Sequence, residues 1–266
     1  MSATPLRRGL SLLVGWLADR GLPRPLRAPL FRAYARAYEV NLDEVRLPLA
    51  EHPSLGAFFV RRLVDGARPF PSDPRAFPSP CDGTVQSVDR IERDTILQAK
   101  GRPYSVRELL GPVGADVALE GGHAWTIYLS PRDYHRVHSP VAGELVEAVW
   151  LPGARYSVAP KVLAARPKVF SINERCVMRI DTARGPLFYV MVGALNVGRI
   201  KVVGVEQRDS GRLARPRPLA LGEELARFEM GSTVILVTPP DGPVPEGELA
   251  SGTPLKMGRT IGRFAR

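Results

Sequence analysis

Four residues of the 266-residue chain could act together on a proton and a backbone carbonyl: Asp82, His135, His138 and Ser232. Ser232 follows Gly231 and precedes Thr233 and the apolar run Val234 to Val237. With a base nearby, the Ser232 hydroxyl could attack the carbonyl of Gly231, its own neighbour. Glycine puts no side chain in the path of that attack and tolerates the strained backbone it needs. The outcome would be a cut chain with a chemically altered residue 232 at the new N-terminus. Two of the four histidines, His135 and His138, stand three residues apart in the segment 130–140, between prolines. Asp82 sits with Gly83 in a turn that opens a strand. Nucleophile, base and an acid that orients the base are the parts of a Ser-His-Asp system. Taken alone, an Asp-Gly pair is usually a turn and a Gly-Ser-Thr usually just opens a strand, so the weight lies in their joint occurrence.

The elements that must position these residues fall into two regions. Residues 1–65 read as helical and membrane-associating: Leu6, Leu10, Leu13 and Leu17 recur at helical spacing, as do Leu30, Phe31, Tyr34 and Tyr38. A last helix is expected over 54–63, with Leu55, Phe58, Phe59 and Leu63 on one face. Prolines at 69, 71, 74, 78 and 80 mark the boundary. Residues 66–266 read as a β-rich catalytic domain, with strands at 84–88, 124–129, 143–150, 176–181, 187–192, 199–205 and 232–237. A short helix is expected at 104–110, a polar basic loop at 208–218 and one strand in the last fifteen residues. The fold class is α+β, with N-terminal amphipathic helices packed on an antiparallel β-rich body.

The net charge is +10, carried mainly by arginine, which points to an anionic partner. Residues 1–38 hold Arg7, Arg8, Arg20, Arg24, Arg27, Arg32 and Arg36 against Asp19 alone. Basic amphipathic helices with aromatic residues read as interfacial anchors. The uncharged run 9–18 is about half of the roughly 20 residues that span a bilayer, and no small-residue cleavage site follows it. The expectation is a peripheral protein on the cytoplasmic face of the cell membrane, with no nucleic-acid module. Cys81 and Cys176 have neither metal spacing nor a disulfide framework, and both read as small thiols in a reducing compartment. His135 and His138 lack a third ligand in pattern, so no metal is expected; His52 and His123 read as structural or exposed. Two alternatives stay open. An uncleaved serine hydrolase could use Asp82, His138 and Ser232, although no Gly-x-Ser-x-Gly elbow is present. A basic binding protein without activity would show only salt-sensitive association.

The motifs also resemble a known family in order and content. Residues 58–63, Arg68-Pro69, Asp82-Gly83, residues 96–101, the Asp133-Tyr-His-Arg-Val-His138 block, residues 192–194, Val197-Gly198 and Gly231-Ser-Thr233 are similar to bacterial phosphatidylserine decarboxylases over about residues 25 to 258. Met230 stands where the family usually has Leu, and Cys81 where it usually has Ala; neither change removes a reactive group. The resemblance implies that His138, oriented by Asp82, takes the Ser232 proton so that the hydroxyl attacks Gly231. The amide becomes an ester; loss of the Ser232 α-proton eliminates it to dehydroalanine, which hydrolyses to a pyruvoyl group and ammonia. The products are a β chain, 1–231, and an α chain, 232–266, held as a heterodimer, with pairing of two such units left open. The pyruvoyl group made from Ser232 then serves as the electron sink for decarboxylation, without pyridoxal phosphate or metal. His135 would donate a proton or contact the substrate carboxylate or phosphate. Phosphatidylserine would be the substrate, phosphatidylethanolamine the product and an anionic membrane surface the partner.

Overall fold

The computed structural model describes residues 20–98, 102–194, 200–229, 232–247 and 249–265. The expected helix through Leu6 to Leu17, together with Met230 and Gly231, lies outside them. Helix α1 (Arg24–Tyr38) opens on Pro25 in its first turn, where the missing amide donor is tolerated, and stops at Glu39 in a left-handed cap. It buries Phe31 and Ala35. Phe31 stacks on Phe58 with ring centroids 5.0 Å apart, and His52 meets both rings edge-on. The opposite side of α1 presents Leu26 and Leu30, 58% and 44% exposed, in line with exposed Ala33 and Ala37.

Strands are numbered in chain order. The principal sheet has eight, in the order β11 (Gly211–Leu219), β7 (Gly143–Leu151), β8 (Arg175–Thr182), β9 (Gly185–Gly193), β13 (Ser232–Thr238), β5 (His123–Leu129), β2 (Gly83–Arg90) and β15 (Pro254–Leu255). Every pairing in it is antiparallel. Two three-stranded sheets, β1 (Ala76–Pro78) with β16 (Thr260–Arg263) and β14 (Val244–Pro245), and β10 (Ile200–Val202) with β12 (Glu224–Phe228) and β6 (Arg136–His138), accompany it. Strands β3 (Thr95–Gln98) and β4 (Arg102–Ser105) form a separate two-stranded antiparallel sheet.

Strand β13 shows why the run after Ser232 is apolar without alternation. Val234 and Leu236 face a core containing Trp125, Ile127, Tyr189 and Met191, while Ile235 and Val237 face a second core with Leu109, Phe170, Phe188 and Val190. A strand covered on both faces has no solvent side to mark with polar residues. All four side chains are 0% exposed; at about 1.5–3 kcal/mol each, their burial contributes roughly 6–12 kcal/mol to holding this segment in place.

The α+β architecture is as expected, with differences in detail. Residues 20–65, the described part of the N-terminal region, are less helical than their pattern implied. Helix α2 (Leu55–Phe59) starts on the Ser54 cap and stops at Val60, because Leu63 pairs across an isolated bridge with Val45. Helix α3 (Val106–Leu110) begins after Ser105, whose hydroxyl accepts from the Glu108 amide; Tyr104 belongs to β4. The expected basic loop at 208–218 is largely strand β11. Its Pro216 and Pro218 are tolerated because it is an edge, and its register with β7 breaks between Arg212 and Arg217. The chain end forms two short strands, β15 and β16, in different sheets.

Candidate active site

Strand pairing gathers the candidate residues at one end of the principal sheet. Ser232, described by its main chain, pairs with Leu129 of β5 and with Gly193 of β9. Gly83 lies one strand further on, since Thr84 pairs with Tyr128. Only glycine fits there: a Cβ would come within 2.5 Å of the Tyr128 carbonyl oxygen. Asp82 is thereby placed about two strand spacings, roughly 10 Å, from Ser232.

The loop leaving β5 supplies the histidines. Asp133 accepts from both the amide and the hydroxyl of Ser130 at 2.7 Å, which closes the turn. Arg61, only 4% exposed, donates to the carbonyls of Arg132 at 2.7 Å and Asp133 at 3.2 Å. Tyr34 of α1 donates to the Pro131 carbonyl at 3.1 Å, so the N-terminal region also grips this loop.

His135 is fully buried, with the Phe59 ring centroid 3.9 Å away. Its Nδ1 donates to the Asp133 carbonyl at 2.9 Å, and its Nε2 has no partner among the described residues. Burial lowers its pKa to about 3, with the Arg61 charge adding to the effect and the Asp133 carbonyl opposing it. The ring is therefore neutral at physiological pH and presents a bare acceptor. The His135 carbonyl accepts from the Phe228 amide at 3.0 Å. Ser232 is four positions after Phe228, a reach of at most about 14 Å.

His138 lies on β6, opposite Glu224 of β12. Its Nδ1 donates to the Gly222 carbonyl at 2.9 Å, and its Nε2 is 3.2 Å from the Tyr134 hydroxyl. Burial holds its pKa below the usual histidine value, against the pull of the Gly222 carbonyl and Glu224. The expected contact between Asp82 and His138 is absent from the hydrogen bonds of both side chains among the described residues.

Asp82 is instead the hub of a clamp. Arg68 donates to it through two nitrogens, at 2.8 and 2.7 Å, and the Met257 amide donates at 2.9 Å. Lys256 stands 3.4 Å away, and Arg68 also reaches Glu44 at 2.7 Å. Burial alone would raise the Asp82 carboxyl; Arg68, Met257 and Lys256 together outweigh it and hold it below the usual carboxylate range. The turn after β15 puts Lys256 and Met257 beside Asp82, a long-range arrangement that local spacing does not reveal.

Asp82, Asp133, Tyr134, Arg61, Arg68 and Lys256 line a 240 Å³ cleft, which also takes in Glu39 and Asn41 just after α1. It carries charges of both signs. A larger hollow of 470 Å³ lies at the far end of β2 and β5, beside Asp89 and His123. It contains none of the candidate residues, so size alone does not locate the site. Cys81 and Cys176 are buried free thiols whose pKa values burial raises, and they are inert as nucleophiles at neutral pH. Thr233 is fully buried, and its hydroxyl has no partner among the described residues. Tyr134, Arg68 and the Gly222 carbonyl carry geometry that the sequence reading left unassigned. Tyr134 and Arg68 stand inside quoted motifs, which was the available signal; nothing marks Gly222.

Comparison with known proteins identifies the family. The family model described as phosphatidylserine decarboxylase matches residues 55–263. A protein of Alkalilimnicola ehrlichii named phosphatidylserine decarboxylase proenzyme is 44% identical, covering 87% of this chain and 84% of its own length. Proteins of the same name from Pseudomonas fluorescens and Myxococcus xanthus are 40% and 37% identical, covering 95% and 96% of this chain and 92% and 94% of their own lengths. The match spans both halves of the clamp, both histidines and the head of β13, and on it the chain belongs to the phosphatidylserine decarboxylase family.

Proposed function

We propose that this chain is a proenzyme that cuts itself between Gly231 and Ser232 and then decarboxylates phosphatidylserine to phosphatidylethanolamine. The observation that carries the reading is the state of His138. It is a neutral imidazole whose Nδ1–H is committed to Gly222 and whose Nε2 is left as the acceptor, at the sheet end where Ser232 opens β13. That is the form a general base needs. Asp82 holds the Met257 segment against the start of β2.

A pyruvoyl group made from Ser232 would supply a carbonyl that takes up the electron pair released when carbon dioxide leaves. The residues around it fit that use. His135 Nε2 is a buried acceptor with no partner among the described residues, as a nitrogen that meets a reacting group would be. As a neutral acceptor, His135 Nε2 can take a hydrogen bond from the substrate ammonium; it holds no proton of its own there. The cleft's mixture of Arg61, Arg68 and Lys256 with Asp82 and Asp133 suits a head group that carries an ammonium together with a carboxylate and a phosphate. Its volume is below the roughly 300–1,000 Å³ usual for a whole small ligand, which leaves acyl chains outside.

Membrane attachment at the cytoplasmic face is part of the same proposal. No helix among the described residues is long and apolar enough to cross a bilayer. The outer face of α1 carries Leu26 and Leu30 with Arg32 and Arg36 alongside, and the helix runs into the cleft at Glu39. Replacing Leu26 and Leu30 with Glu should weaken binding to phosphatidylserine-containing vesicles by roughly a hundredfold or more, the worth of two buried leucines. Unchanged co-sedimentation would remove α1 as an anchor.

The proposal as a whole is tested by the intact mass of the purified protein under denaturing conditions. Two species split at residues 231/232, the smaller lighter than its sequence by one ammonia and blocked to Edman degradation, are expected. A single full-length species that reacts with a serine-directed phosphonate would establish the hydrolase instead.

A further inference from the structure

We propose that Tyr134 is a positioning residue that holds the base nitrogen of His138 in check until Ser232 displaces it. The inference rests on His138 being the base for the cut. The Gly222 carbonyl can only accept, so the hydrogen of the neutral ring is on Nδ1 and the lone pair is on Nε2. The group 3.2 Å from that lone pair is the Tyr134 hydroxyl. Burial pushes the Tyr134 pKa up to about 12, so the hydroxyl keeps its proton and donates it.

An imidazole nitrogen offers one lone pair, and Tyr134 and Ser232 cannot both donate into it. Tyr134 is also poorly free to leave: it is 6% exposed, and its ring centroid lies 5.8 Å from that of His138. The hydrogen bond from Tyr134 must break before Nε2 can take the Ser232 proton. As that proton moves, the serine oxygen bonds to the Gly231 carbonyl carbon and the carbonyl electron pair shifts onto its own oxygen. The other groups facing His138 are Glu224 on β12, which favours the charged ring, and Arg136 on β6 and Arg62, which oppose it. Phe70, from the proline-rich loop, covers the ring with a centroid distance of 6.5 Å. Tyr134 is the one that stabilises the neutral ring through its lone pair.

The test follows cleavage by intact mass in freshly synthesised full-length chain, as a function of pH. Tyr134→Phe should cut about two- to tenfold faster at the plateau, the kinetic equivalent of one ordinary hydrogen bond. Its rate–pH midpoint should move up, because the neutral ring loses a stabilising donor. Incorporating 3-fluorotyrosine at position 134, a stronger donor of nearly the same size, should slow the cut. An unchanged rate and midpoint in Tyr134→Phe, or a faster cut with the fluorinated residue, would overturn the proposal and leave His138 as the base. Should Tyr134→Phe be slow because it is poorly folded, the fluorinated chain still decides. A wild-type chain that never cuts at 231/232 removes the underlying reading itself.

Discussion

Replacing Ser232 with Ala is expected to leave one uncut chain with no decarboxylase activity above background. The substitution removes the only oxygen proposed to attack Gly231 and, with it, the source of the pyruvoyl group. Folding should be unaffected, because residue 232 is placed by main-chain pairing with Leu129 and Gly193, which alanine preserves. Thr233 cannot substitute: it lies one residue further into β13 and is fully buried. The decisive pair of measurements is intact mass and thermal melting. A full-length species melting cooperatively is the expected result; efficient cleavage of this variant would exclude Ser232 as the nucleophile.

The second large effect is expected at Asp82 and concerns stability as much as maturation. Its side chain is 2% exposed and that of Arg68 is 6% exposed. Removing one partner of a buried ion pair strands the other, at a cost of about 3–5 kcal/mol. Near 2–4 °C per kcal/mol for a chain of this size, Asp82→Ala should lower Tm by on the order of 10 °C and slow the cut as the Met257 segment loosens. Removing Arg68 as well should restore part of the loss, since no uncompensated charge then remains. The pH dependence has a definite sign. A carboxyl whose pKa is depressed by folding contributes stability above its unfolded value, about 3.9, and loses it as pH falls through the folded value. The Tm gap between wild type and Asp82→Asn should therefore be full at neutral pH and narrow below about pH 4. A gap independent of pH, or a fully stable Asp82→Ala, would show that the clamp contributes little.

The sequence was most informative where local pattern and burial coincide. Val234 to Val237 read as a buried strand because no position in it needs to meet water, and the structure covers both faces. Strand β11 was illegible for the opposite reason: as an edge it needs few apolar residues and tolerates Pro216 and Pro218. Helix α2 looked longer because Leu63 continues the helical stripe, yet Leu63 is taken by Val45 in a pairing that no local rule foresees. At the site, residue types were legible and partners were not. Asp82 and His138 look like an acid and its base on one line of sequence, but Arg68 and Met257 reach Asp82 first, and a carbonyl, from Gly222, holds the imidazole. Partners that are backbone atoms leave no trace in composition.

The position of β13 between β5 and β9 has a consequence for the history of the molecule. In an uncut chain, this strand reaches its neighbours as part of one polymer, and the tether supplies a high effective concentration. If the chain is cut at the head of β13 as proposed, the tether is gone while the buried strand and the Met257 clamp remain. Melting then releases two separate chains, and recovery becomes a bimolecular encounter between a body with an open slot and a free peptide headed by the apolar β13 segment. The cut form should melt irreversibly and with dependence on scan rate, whereas the Ser232→Ala chain should refold. On that proposal the protein has to be assembled before it is activated: the durability of its cut form is a matter of unfolding rate, and each molecule has one opportunity to build its core.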